Sequence, residues 1–299
     1  MGTIANSIPG DHSHAAPAPL PWKTVAWFGA LLFLCYAPVL NRLAAQWYND
    51  EDMGHGFFVP VVAGYIVWRR RHALAALKPE TNYWGLVVVL WGAVQFMLGT
   101  LGAELFLSRT AFLISLIGVI WFLCGTKILK LLAFPLILLW FMIPIPAIIY
   151  ARITLPLQLF ASRVAETVLG LLGIPVLRDG NVLELASQKL SVVEACSGIR
   201  SLLALSFLAL IYAYFFDRKV WMRWALLIAT IPIAIAANAA RVTITGILSE
   251  YRTDLAQGFF HMLEGWVLFL VAFVLMIATH GLLNRIWRMV RRPAGEQHA

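Results

Sequence analysis

Apolar residues run along this chain in blocks of roughly 18 or more, broken by short polar stretches, and the recurrence of those blocks is the first structural signal. A helix rises about 1.5 Å per residue, so a block of about 20 matches the ~30 Å hydrocarbon core of a bilayer. The blocks predict transmembrane helices at about 24–40, 56–68, 83–102, 108–125, 131–150, 197–216, 225–248 and 262–282, with the second, short one starting inside Gly54–Gly56. Between 151 and 195 the pattern changes twice. Apolar residues at helical spacing around Arg152, Gln158, Arg163 and Glu166 predict an interfacial or re-entrant amphipathic helix. The alternation from Val176 to Leu183 around Asp179-Gly180, with Lys189–Val193 as a further arm, predicts a small β-meander.

The expected fold class is therefore an all-α polytopic integral membrane protein of about eight transmembrane helices, with an outer amphipathic helix and a small β-meander. Residues 1–21, with Pro9, Pro17, Pro19 and Pro21, read as a disordered cytoplasmic tail. No basic segment precedes an apolar stretch there, so the first helix is expected to do the targeting rather than a cleaved signal. Residues 22–292 read as a single transmembrane domain and 293–299 as a second cytoplasmic tail, with no repeat or linker dividing them.

Composition agrees with burial in lipid: 61% of the 299 residues are hydrophobic and 13% charged, against about a quarter charged in soluble domains. The net charge of +8 is scattered in short clusters between apolar blocks rather than gathered on one face, which argues for headgroup contact and topology and against nucleic acid. With the N-terminus inside, Lys23, Arg69, Arg70, Arg71, Lys78, Lys127, Lys130, Arg218, Lys219, Arg223, Arg285, Arg288, Arg291 and Arg292 all fall on the cytoplasmic side, which satisfies the positive-inside bias. Cys35, Cys124 and Cys196 have no metal-site spacing and lie on different apolar segments, so neither a disulfide framework nor a metal or other cofactor is expected. Cys35 and Cys124 read as small core residues.

This topology gathers Cys196, Arg241 and His261 at the outer mouths of the last three spans. Arg241 falls about seven residues inside its span, roughly 10 Å, where a guanidinium costs at least ~2.5 kcal/mol unless it faces protein or water. Function and snorkelling to the outer headgroups both remain open for it. Cys196 sits between Glu194 and Ser197-Gly198, where a strand-like segment gives way to a helix whose N-terminus favours a thiolate. Taken alone, His261 reads as an interfacial histidine, and His55 after the acidic run Asp50-Glu51-Asp52 is ambiguous in the same way.

Val192-Val193-Glu194-Ala195-Cys196-Ser197-Gly198-Ile199-Arg200-Ser201 resembles the cysteine motif of the exosortases, bacterial membrane counterparts of the archaeosortases. Asn238-Ala239-Ala240-Arg241-Val242 is similar to the family's Asn-x-x-Arg motif, and His261 with Glu264-Gly265-Trp266 to its histidine motif. Gly54-His55-Gly56 is similar to a Ser-His-Gly element, from which Met53-Gly54 departs. The resemblance covers roughly residues 45–285. It implies a cysteine transpeptidase of the bacterial inner membrane, with its active site on the periplasmic side. Its substrates would be exported, membrane-anchored proteins bearing a C-terminal sorting signal of the Pro-Glu-Pro kind, cut through a thioester on Cys196. The same resemblance implies catalytic roles for Cys196, Arg241 and His261, with Arg200, Asn238, Glu194 and His55 as supporting or substrate-binding positions. Two other classes stay in view: a transporter, which symmetric halves would favour, and a non-catalytic subunit of an exopolysaccharide or envelope assembly system, which would tolerate loss of Cys196.

Overall fold

The computed structural model describes residues 22–186, 188–191, 198–251 and 259–290, with residues 22, 51–52, 198–200 and 259–265 described in backbone only. Two compact units are present. One takes the chain up to Ala45 together with Phe57–Ile143, the other Gln46–Gly56 together with Pro144 onward.

The first unit holds α1 (Trp22–Asn49, shared with the second unit), α2 (Phe58–Arg69), the short α3 (Arg71–Ala75), α4 (Tyr83–Leu101) and α5 (Leu105–Leu138). Its closest pairing is between α4 and α5. The buried residues of α4 are Gly85, Gly92 and Gly99, whereas Leu90, Trp91, Val94, Met97 and Leu98 of the same helix are exposed. Small residues inward and large apolar ones outward invert the pattern of a soluble protein and suit a helix bathed in lipid. The seven-residue spacing returns each glycine to one face, where a Cβ would run into the Phe122 backbone, Ser115 and Ser108 respectively. Tyr36 of α1 closes the other side, its hydroxyl 2.9 Å from Ser115 Oγ.

Two expected spans, 108–125 and 131–150, form one run that breaks at Gly125 (φ 83°, ψ 178°). That positive φ suits glycine, and a Cβ there would meet the carbonyl of Glu80. One end of the unit gathers at this break. Asn82 Nδ2 donates to Thr126 Oγ1 (3.2 Å), Lys127 pairs with Glu80 at the surface (2.8 Å), and Arg70 Nη1 donates to the Leu131 carbonyl (2.6 Å). Beneath them Leu74, Cys124 and Ile128 form a buried cluster. Cys124 is thus a core residue as expected, but Cys35 is exposed on α1. A face turned to lipid carries small apolar side chains as readily as a protein core does. The second arm ends in a 3-10 turn, Leu139–Met142, eight residues short of the expected Tyr150. Pro144 and Pro146 remove backbone donors and force an extended step there.

The second unit contains α6 (Ala147–Leu171), strands β1 (Val176–Asp179), β2 (Val182–Leu185) and β3 (Lys189–Ser191), and helices α7 (Gly198–Phe216), α8 (Val220–Tyr251) and α9 (Phe259–Val290). The amphipathic segment folds as a 25-residue helix whose buried face, including Thr154, Ala161, Ala165 and Leu169, packs against α8. The meander forms with antiparallel order β1-β2-β3, and the β1–β2 turn is centred on Gly180 (φ 60°) and Asn181. At the α7–α8 loop, Asp217 accepts from the Lys219 N–H (2.8 Å) and lies 3.1 Å from His280 Nε2 on α9, while Tyr212 of α7 lies 3.0 Å from His280 Nδ1. Burial alone would push the Asp217 carboxyl up. The Lys219 N–H, His280, Asn284 and the Lys219 ammonium together outweigh burial and hold it below the ordinary carboxylate range.

Five described helices are long and apolar enough to cross a membrane: Lys23–Asn49, Tyr83–Leu101, Leu105–Met142, Val220–Tyr251 and Trp266–Val290. Long helices therefore do not reach the expected eight one for one. Two expected spans share the run broken at Gly125, the second corresponds to the 12-residue α2, and the sixth to the shorter apolar Ser201–Phe216.

Candidate functional site

On α8 the polar residues Asn238, Thr245 and Ser249 are buried and Arg241 is half-buried, at helical spacing along one side of a mostly apolar helix. A stripe of this kind needs partners, because an unsatisfied hydroxyl or amide inside the fold costs about 1–3 kcal/mol. The sheet supplies one: Gln188 Nε2, just before β3, donates to Ser249 Oγ (2.8 Å), and Ser249 Oγ donates to the Thr245 carbonyl (2.7 Å). Below it Leu183, Leu185 and Leu190 of the sheet join Ala239 and Val242 of α8 and Ala161, Ala165 and Leu169 of α6 in one buried cluster. The alternation of β2 produces this contact, since Leu183 and Leu185 point inward while Val182 and Glu184 do not. Arg178 ties the sheet to α6 through Glu166, with Nε 2.7 Å from the carboxylate, and also donates to the Gly180 carbonyl (3.1 Å).

Helices α7 and α8 run antiparallel in a fixed register. Ser206 lies 3.0 Å from Thr230, and one turn on Leu202 shares a small crevice with Ala234 and Asn238. Continued one turn further at helical rise, the same register sets Asn238 level with Gly198, the first residue of α7. Arg241 then stands about one turn, ~5 Å, beyond the start of α7. Toward the opposite end, Lys219 precedes Arg241 by 22 residues, which is ~33 Å of helix and close to the thickness of a bilayer core.

The sequence candidates fall as follows. Asn238 and Arg241 are neighbours on α8, three residues apart. Arg200 lies in the first turn of α7 and His261 in the first turn of α9, both in backbone only. Cys196 and Glu194 lie outside the described residues, in the segment that joins β3 to α7. His55 sits in the 3-10 turn Glu51–Phe57, half-buried, with its ring centroid 6.2 Å from that of Phe207. Phe207 is nine residues into α7, ~14 Å from the level of Asn238, so His55 meets α7 deeper than the stripe.

Sequence reasoning did not single out Thr245, Ser249 or Gln188, although the three-to-four-residue recurrence of polar positions after Asn238 marks the face that carries two of them. Glu250 is a further omission. One of its carboxylate oxygens is enclosed without a hydrogen-bond partner among the described residues. Those residues contain no group of three or more His, Cys, Asp or Glu placed to hold a metal ion. Beside the stripe, an open and almost wholly apolar groove of about 500 Å³ runs between Phe160, Val164 and Val168 of α6 and Ala236, Ala240 and Thr243 of α8.

Compared with known proteins, the chain matches the family model described as transmembrane exosortase over residues 47–278. No curated protein and no solved structure matches it.

Proposed function

The chain belongs to the transmembrane exosortase family, and from that premise we propose that it is a cysteine transpeptidase that cuts membrane-anchored, exported proteins at a C-terminal sorting signal through a thioester on Cys196. The observation that carries the reading is the α7–α8 register, which sets Asn238 level with the first residue of α7 and Arg241 one turn beyond it. Cys196 precedes that first residue by only two positions in the sequence.

The chemistry follows from this neighbourhood. The Cys196 thiolate attacks the scissile carbonyl, the carbon–nitrogen bond breaks, and the leaving amine takes up a proton. An acceptor nucleophile then attacks the thioester and returns the sulfur as thiolate. A thiol at a membrane edge is desolvated, which raises its pKa from about 8.5, so a cation and a helix N-terminus are needed to favour the ionised form. Arg241 supplies the cation. With a pKa above about 12 a guanidinium is a poor proton donor, so its role is to hold the thiolate and then the oxyanion. Asn238, one turn away, orients it. His261 accepts the thiol proton and delivers it to the leaving amine, while Arg200, Glu194 and His55 are supporting positions.

The apolar groove beside Arg241 supports a membrane-embedded substrate. Small residues four apart on its α8 wall, Ala236 with Ala240 and Ala239 with Thr243, let a helix approach closely. In the bacterial inner membrane, with the Lys219 end inside, the site then faces the periplasm. A helical anchor confines the substrate to the membrane plane and holds its scissile bond at the depth of the thiol. Proline in the signal would leave the backbone there extended. In proteoliposomes, a reporter with signal, helix and basic tail should be cleaved, whereas lengthening the spacer between signal and helix by several residues should abolish cleavage. Equal cleavage of the lengthened reporter would rule out depth as what sets the cut.

A further inference from the structure

Arg109, in the second turn of α5, is 5% exposed, yet among the described residues its guanidinium has no hydrogen bond or ion pair, and its Nε is fully enclosed. The polar groups around it are committed elsewhere. Glu104 accepts the Leu107 N–H (2.6 Å), the Ser108 hydroxyl returns to the Glu104 carbonyl (3.1 Å), and the Thr110 hydroxyl returns to the Phe106 carbonyl (2.8 Å) while accepting from Gln95 (2.6 Å). The Glu104 carboxylate, at the exposed start of the helix, attracts it electrostatically but makes no ion pair with it. A cation taken out of water without a hydrogen-bonded counter-ion is costly, and inside a membrane segment it marks a site.

We propose that Arg109 is the protein half of an oxyanion site occupied by the phosphate diester of a phospholipid headgroup. Its place in the fold supports this. Helical side chains lean toward the N-terminus of their helix, which directs the guanidinium to the Leu105 end of α5. That end stands ~26 Å from Phe122, beside the basic end of the unit, and so reaches the headgroup level of the opposite surface. Around it Met97, Leu98, Leu101 and Leu105 are exposed and apolar, a surface fit for acyl chains. A planar fork of donors matches the paired oxygens of a phosphate better than a point charge does.

The test uses the full-length protein, delipidated in detergent, with three probes: phosphatidylglycerol, diacylglycerol of the same chains, and inorganic phosphate. Phosphatidylglycerol should raise the melting temperature by several degrees and be retained in native mass spectra, while the other two probes should do neither. Arg109→Gln should bind it at least ~10-fold more weakly and, without lipid, melt no lower than the wild type, because a buried charge with no hydrogen-bonded partner has been removed. Arg109→Lys, which keeps the charge and loses the fork, should bind several-fold more weakly. Arg163→Gln, at an exposed arginine of α6, should behave as the wild type. The proposal fails if phosphatidylglycerol protects wild type and Arg109→Gln equally. It fails equally if inorganic phosphate alone, or an acidic peptide in place of lipid, gives the Arg109-dependent shift.

Discussion

Arg241→Lys is expected to yield abundant, folded protein that processes a sorting-signal reporter at least ~100-fold more slowly than the wild type. The fold has little reason to object, because α8 is held by the sheet leucines and α6 packed on its Ala239 and Val242 and by α7 on another side, packing to which residue 241 does not belong. Chemistry has every reason to object. A guanidinium presents two parallel donors to a sulfur or an oxyanion, an ammonium presents one at a different reach, and removing a single oxyanion donor typically costs ~100- to 1,000-fold in rate. Rate of reporter cleavage and melting temperature, measured on the same preparation, separate the two. Processing at the wild-type rate would return Arg241 to the role of a headgroup anchor.

The largest structural effect is expected at Gly85. Gly85→Leu should prevent accumulation of folded protein, whereas Gly29→Leu should accumulate normally. A Cβ at Gly85 meets the backbone nitrogen and Cα of Phe122, atoms that move only if α4 and α5 separate, while nothing lies within 4 Å of a Cβ at Gly29. Overpacking against side chains costs about 1–3 kcal/mol, and against backbone the helices have no cheap way to relax. Yield after size-exclusion chromatography in mild detergent reads the difference. Comparable yields would mean that the glycine stripe does not set the α4–α5 spacing.

Sequence periodicity foretold the helices and the meander because both depend on local rules: apolar blocks of bilayer length, alternation at Leu183 and Leu185, and a glycine turn. It was weaker where several weak signals compete. The expected helix through Tyr150 stops at Met142, since Pro144 and Pro146 override an apolar block that length alone would have continued. The break at Gly125 was legible as a gap between two spans but not as a positive-φ residue pressed on the Glu80 carbonyl, because that depends on a neighbour 45 positions away. Among site residues, Asn238 and Arg241 were legible as a motif on one helix. Ser249 and Gln188 were not, because their pairing joins a helix to a strand entry 61 residues apart. Arg109 was passed over for a related reason: a basic residue near the end of an apolar block reads as a topology signal until its burial and lack of a partner are known.

The central claim is that Cys196 carries the acyl group. The most direct test is intact-mass spectrometry of the protein quenched in acid during turnover of an anchored reporter, followed by hydroxylamine treatment. The account predicts an adduct of the mass of the reporter's N-terminal fragment, mapping to Cys196, released by hydroxylamine and absent from Cys196→Ala, which also leaves the reporter uncut. Cleavage of the reporter by Cys196→Ala at the wild-type rate would contradict it.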